Sequence, residues 1–282
     1  MFRFVQFEFP WTLGPPDGRY VVRGHAGIPA HVLVIGTLAA PPRRLINRRR
    51  KSVKVPPSPP PTPVPIVRVT IVDPDSLSGA SEGATWLQDL DDQQQARAAL
   101  AVLGAAVRDH RVAAGDPSMR APTMGQALVC RVGYGEGEQV AEGRWVDART
   151  IVADGSLERR AADLGAQERF GALLSGRDVA LAAETLALDA RRDLDAGLYR
   201  EAALHVRVAL EAALAELVPW QDHGDIAERL VALGEQREPV ARAANAALRG
   251  GLDDAVVEEV RTALWLVESA LRARAASVGG LR

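Results

Sequence analysis

Between Arg177 and Leu217 the apolar positions form two helical stripes that meet at a glycine. Tyr199, Ala202, Ala203, Val206, Leu210, Ala213, Leu214 and Leu217 recur at three-and-four spacing. At about 100° per residue they share one face, and Arg200, Glu201, Arg207, Glu211 and Glu216 lie outside it. The segment before it, Val179 to Ala196, carries its main stripe at Val179, Ala183, Leu186, Ala190 and Leu194. Leu181 and Leu188 fall on the opposite side, which predicts a helix sandwiched between neighbours. Gly197 ends that helix, because a left-handed cap is open to glycine without a Cβ penalty.

Helical patterning continues to the C-terminal end. A short helix is expected around Ala166 to Leu174, and others at Asp225 to Leu233 and Pro239 to Leu248. A long last one follows from Asp253 to about Ala275. On it Val256, Val260, Ala263, Val267, Ala270 and Leu271 make the inward stripe, and Trp265 points roughly opposite. An exposed tryptophan there suits packing on the N-terminal domain or on a partner subunit better than a ligand.

The first half reads differently. Phe2 to Phe9, Arg19 to Arg23, Ile66 to Val72, Ala127 to Val132 and Arg144 to Val152 read as strands, with Asp73-Pro74 ending the third of these. His31 to Leu38 is more continuously apolar, as in a strand buried on both faces. Trp86 to about Ala114 reads as one helix, stopped by Gly115-Asp116-Pro117. The expected fold class is α+β. A mainly antiparallel sheet domain with one long helix occupies 1–152, and an all-α bundle follows at 155–282.

Composition changes this picture in one place. From Pro41 to Pro65 there are nine prolines and seven basic residues, a run that can neither pair as a sheet nor continue a helix. The 39–65 segment is therefore expected to be an extended or disordered insertion. Residues 1–80 hold eleven Arg or Lys against four Asp or Glu, a balance of +7 in a chain whose total is −2. Arg43, Arg44, Arg48, Arg49, Arg50, Lys51 and Lys54 are the candidate contacts to nucleic acid or another polyanion, since clustered cations release counterions from phosphates. No aromatic is interleaved there, so base stacking is not indicated. The bland alternative is a solvated insertion in a chain where only two of 34 basic residues are lysines.

One cysteine, Cys130, permits no internal disulfide and suits a reducing compartment. The N-terminal alternation is not that of a signal peptide, and the longest apolar run is too short to span a bilayer. A soluble cytoplasmic protein with no membrane contact is expected.

The run Leu198 to Leu217, LYREAALHVRVALEAALAEL, resembles the second helix of HEPN-like domains. The matching positions are Tyr199, Glu201, Ala202, His205, Ala209, Glu211, Ala213 and Leu214, with Asp222-His223-Gly224-Asp225-Ile226 as a loose version of the sequel. The resemblance covers roughly 175–276 and implies a HEPN-like bundle that forms a homodimer. The same stretch is similar to half a tetratricopeptide repeat, but no second copy follows at that period. Many HEPN proteins cleave RNA with an Arg followed four to six residues later by His, late in the bundle. That late position is empty here, since the last histidine is His223. The pair Arg200 and His205 fits the spacing but sits early, and five residues turn a helix by about 140°, so the two diverge within one chain. They can act together only across a dimer.

Other candidates read as structure. Gly133 to Glu138 lacks the Lys and Ser or Thr of a phosphate loop and reads as part of a hairpin connection. Asp73, Asp75, Asp89, Asp91 and Asp92 do not make a cation-loop spacing. Histidines 25, 31, 110, 205 and 223 show no paired ligand spacing, so no metal or cofactor is expected. The sequence points to a non-catalytic interaction or regulatory protein with a protein partner or a second copy. A nuclease using Arg200 and His205, or a nucleotide-binding protein of HEPN type, is the alternative.

Overall fold

A computed structural model describes residues 1–24, 27–38, 64–151 and 157–279, the side chains of 138, 157–165 and 278–279 excepted. The basic run 43–54 and His25 lie outside these residues. The chain divides into two compact units, Met1–Asp154 and Gly155–Arg282, and its class is α+β.

The first unit is an antiparallel six-stranded sheet with two helices on one face. Its strands are β1 (Phe2–Phe9), β2 (Gly18–Arg23), β3 (Pro29–Leu38), β4 (Ile66–Ser76), β5 (Val129–Gly135) and β6 (Asp147–Thr150). They lie in the order β2-β3-β4-β1-β5-β6, so β1 is central and β2 to β4 with β1 make a Greek-key arrangement. Side chains alternate across a strand. Val5, Phe7 and Phe9 of β1, Val67, Val69 and Ile71 of β4, and Cys130, Val132 and Tyr134 of β5 therefore share one face. Against it pack α1 (Ala80–Asp89) and α2 (Asp92–Ala114), through Leu87, Ala96, Ala99, Leu103 and Val107.

Several expectations for this unit need correction. The doubly covered strands are β1 and β4, where Gln6 and Thr70 are also buried; β3 buries only Leu33 and Ile35. Pro74 does not end β4. The pairing slips between Phe2 and Phe4, and beyond Val72 β3 no longer pairs, so the proline sits where a missing N–H costs nothing. The single helix is two, because Asp91 restarts it: its carboxylate accepts the Gln94 N–H at 3.0 Å. The glycine-rich run is strand as far as Gly135, and Tyr134 is buried against α1.

The second unit contains α3 (Leu157–Leu174), α4 (Ala182–Asp195), α5 (Tyr199–Glu216), α6 (Ile226–Glu235), α7 (Arg237–Arg249) and α8 (Asp254–Gly279). α4 and α5 form a hairpin around Gly197, whose φ is 72°. The Leu198 N–H reaches the Asp193 carbonyl and the Gly197 N–H the Leu194 carbonyl, a Schellman closure. α5 is the central helix, and its Ala202, Ala203, Val206, Ala209 and Ala213 are fully buried. Its last turn also serves α4: the Glu216 carboxylate accepts the Ala182 and Ala183 N–H groups, which have no partner within their own helix. Val179 precedes α4 and is exposed, Leu181 at its N-cap is buried, and Leu188 is exposed, so α4 is covered on one side and is not sandwiched. No helix among the described residues is long and apolar enough to cross a membrane.

A tight contact makes the first unit testable. A Cβ on Gly83 of α1 would sit 2.5 Å from the Tyr134 ring. Gly83→Ala gains about 1 kcal/mol of helix propensity and incurs an overpacking penalty of about 1–3 kcal/mol. A net loss is therefore expected, read as a lower urea midpoint; an unchanged or raised midpoint contradicts the packing of α1 on β5.

Candidate functional site

The α4–α5 hairpin positions the most chemically distinctive pair. Asp193 lies two residues before the end of α4 and is buried at 5% exposure, on the side that faces α5. His205, near the middle of α5, reaches it with Nδ1 2.6 Å from Oδ2. An ionised carboxylate only accepts, so Nδ1 is the donor in this contact, and in the neutral imidazole Nε2 is then the acceptor. In that neutral tautomer the imidazole is oriented to take a proton from a ligand.

Arg200 is directed elsewhere. Its Nε donates to the Ala247 carbonyl at 2.8 Å, at the C-terminal end of α7, where a cation suits the helix dipole. Arg200 and His205 are thus held by different helices, as their angular separation on α5 requires. The structure does not bring them together within one chain.

A second polar cluster ties α3, α4 and α8 together. Arg274 of α8 is 1% exposed, and its Nη2 meets the Asp178 carboxylate at 2.6 Å. The same guanidinium lies over the Trp220 ring, 4.6 Å from its centroid. Asp178 also accepts from Arg169 at 3.1 Å and from the Val179 N–H at 2.7 Å, and Arg169 in turn pairs with Glu184. Nε and Nη1 of Arg274 have no partner among the described residues. Burial by itself raises the Asp178 pKa, but the Val179 N–H and the two guanidiniums outweigh it and hold the carboxyl below its ordinary value.

Along the outside of the bundle, α4 and α8 make a seam. Arg191 of α4 and Glu268 of α8 form a two-pronged ion pair, 2.9 and 2.8 Å. Beside it Trp265 stands 56% exposed next to a groove of about 320 Å³ lined by Arg191, Glu258, Arg261 and Thr262.

In the first unit, the sheet face away from the helices carries a polar ladder. Glu8 accepts from Arg68 at 2.9 Å and Arg131 at 3.2 Å, while Gln6 donates to Thr70 at 2.9 Å. Arg149 grips Asp92 at the start of α2, so that carboxylate serves to anchor the helix. Cys130 is not a nucleophile: burial, with the Asp92 charge behind it, pushes the thiol up to about 12. No group of three or more histidine, cysteine or acidic side chains among the described residues is placed to hold a metal ion.

Comparison of the chain with family models, curated proteins and solved structures gave no match.

Sequence reasoning singled out His205 and Trp265 but missed Asp193, Asp178 and Arg274. A weak signal existed for Asp193, an acid placed between the stripe residues Ala190 and Leu194. None existed for the other two, which meet across about a hundred residues.

The Asp178 cluster yields two expectations. Asp178→Asn leaves Arg274 buried without its counter-charge and is expected to cost about 3–5 kcal/mol, read by chemical denaturation; a change below 1 kcal/mol would contradict the burial. Because the folded pKa is the lower one, the carboxylate's contribution is complete above the ordinary aspartate range near pH 4 and is lost as pH falls through the depressed value. The acid limb of wild-type stability should therefore flatten in Asp178→Asn.

Proposed function

We propose that this chain is a non-catalytic cytoplasmic interaction or regulatory protein that self-associates through a HEPN-like bundle, with the basic run 43–54 as a secondary contact to polyanions. One observation carries it: the helical unit turns Trp265 outward at 56% exposure. Tryptophan is among the side chains enriched at the energetic centres of protein–protein contacts. Several ionisable side chains of the unit meanwhile join one element to another, as in Asp178–Arg274, Arg191–Glu268 and Arg237–Glu211. The single buried cysteine suits a reducing compartment.

A second reading, an RNA-processing enzyme, is favoured by the Asp193-held imidazole of His205 alone. It needs Arg200 or another cation delivered from a second copy.

Size exclusion with light scattering, with absorbance at 260 and 280 nm, tests the first reading. A dimer at low and high salt is expected, carrying nucleic acid that high salt removes. A clean monomer at both salts would overturn the dimer and the polyanion contact together. The second reading requires the purified protein to cleave RNA and His205→Ala to abolish that cleavage; a wild type without activity eliminates it.

A further inference from the structure

Resting on the self-association just proposed, we infer that the α4–α8 seam is the docking surface and that its occupant is a second copy of this chain. The two helices run antiparallel, since Asp178 ahead of α4 meets Arg274 late in α8, and Arg191 farther along α4 meets Glu268 earlier in α8. One turn back from Arg191 lies Leu188, and one turn back from Glu268 lies Trp265. In antiparallel helices those steps lead to opposite sides of the ion pair. Each three-residue step also rotates the side chain about 60° away from the helix–helix contact. Both residues accordingly face outward, Leu188 at 70% and Trp265 at 56% exposure.

The seam is thus an apolar group at each end with an ion pair between, and this pattern fits itself when reversed. A two-fold axis through the Arg191–Glu268 pair lays Trp265 of one copy on Leu188 of the other, and does so twice, which is the defining property of an isologous interface. The groove beside Trp265 has the room for an aliphatic side chain.

Charge supports the same occupant. Arg191, Arg261 and Arg272 alternate with Glu258 and Glu268 along the seam, with Arg261 3.7 Å from Glu258 and Arg272 3.9 Å from Glu268. A surface carrying both signs complements its own rotated image. A polyanion would meet Glu258 and Glu268, and a uniformly basic partner would meet the three arginines.

The test uses the full chain. Light scattering and sedimentation would be measured on wild type, Trp265→Glu, Leu188→Glu and a control, Val208→Glu, on the outward side of α5. All three positions are more than half exposed, so circular dichroism and the thermal midpoint should stay at wild-type values. Trp265→Glu and Leu188→Glu should each weaken the dimer at least tenfold, and Val208→Glu should leave it unchanged. A mixture of Leu188→Cys and Trp265→Cys chains should form a disulfide-linked heterodimer under mild oxidation, since Cys130 is buried and unreactive. A wild type that is monomeric throughout overturns the self-association itself. A dimer that both glutamate variants leave intact, with no 188–265 cross-link, overturns the seam while self-association stands.

Discussion

Alanine at 202, 203, 209 and 213 sets how closely the helices around α5 approach, and the rest of the helical unit depends on that closeness. Methyl-sized side chains hold neighbouring helices toward the near end of the usual 8–10 Å spacing. They also bury little apolar area each, at about 25 cal/mol per Å². A core of this kind draws helices together without dictating their rotation. Orientation falls to the polar ties at its margin: Glu216 across the start of α4, Asp193 with His205, Arg191 with Glu268, and Asp178 with Arg274.

The sheet unit solves the same problem with larger side chains. Phe7 and Phe9, together with the valines and isoleucine of β4, give its helix-facing side ample apolar bulk. Its other face is specified by hydrogen bonds, with Gln6, Thr70, Glu8, Arg68 and Arg131 satisfying one another across three adjacent strands. Phe4 packs there against Trp145, with ring centroids 5.7 Å apart. A shift of β1 by one residue would move Phe7 onto the polar side, so both faces specify one register.

These observations give many of the bundle's charged residues a structural role. Its arginines and acids are numerous, and several of those in the bundle hold alanine-faced helices in place, among them Arg191, Glu216, Glu268 and Arg274. Outside that core, Trp265 and Leu188 stand exposed, and the His205 imidazole is held by Asp193.

Local patterning along the chain was enough to determine the α+β class, the change from sheet to helices in mid-chain, the α4–α5 hairpin and its glycine hinge. Each follows from periodicity and cap chemistry, which act over a few residues and are written in the order of the chain. Patterning also marked Trp265 as facing away from the buried stripe of α8. The strand order, with β1 inserted between β4 and β5, had no local signature, because pairing joins residues as far apart as Phe2 and Gly135. Nor was it legible that Val179 and Leu188 stay uncovered, that Asp193 meets His205, or that Arg274 finds Asp178. Those outcomes depend on which faces meet in three dimensions, and burial and ion pairing are decided only there.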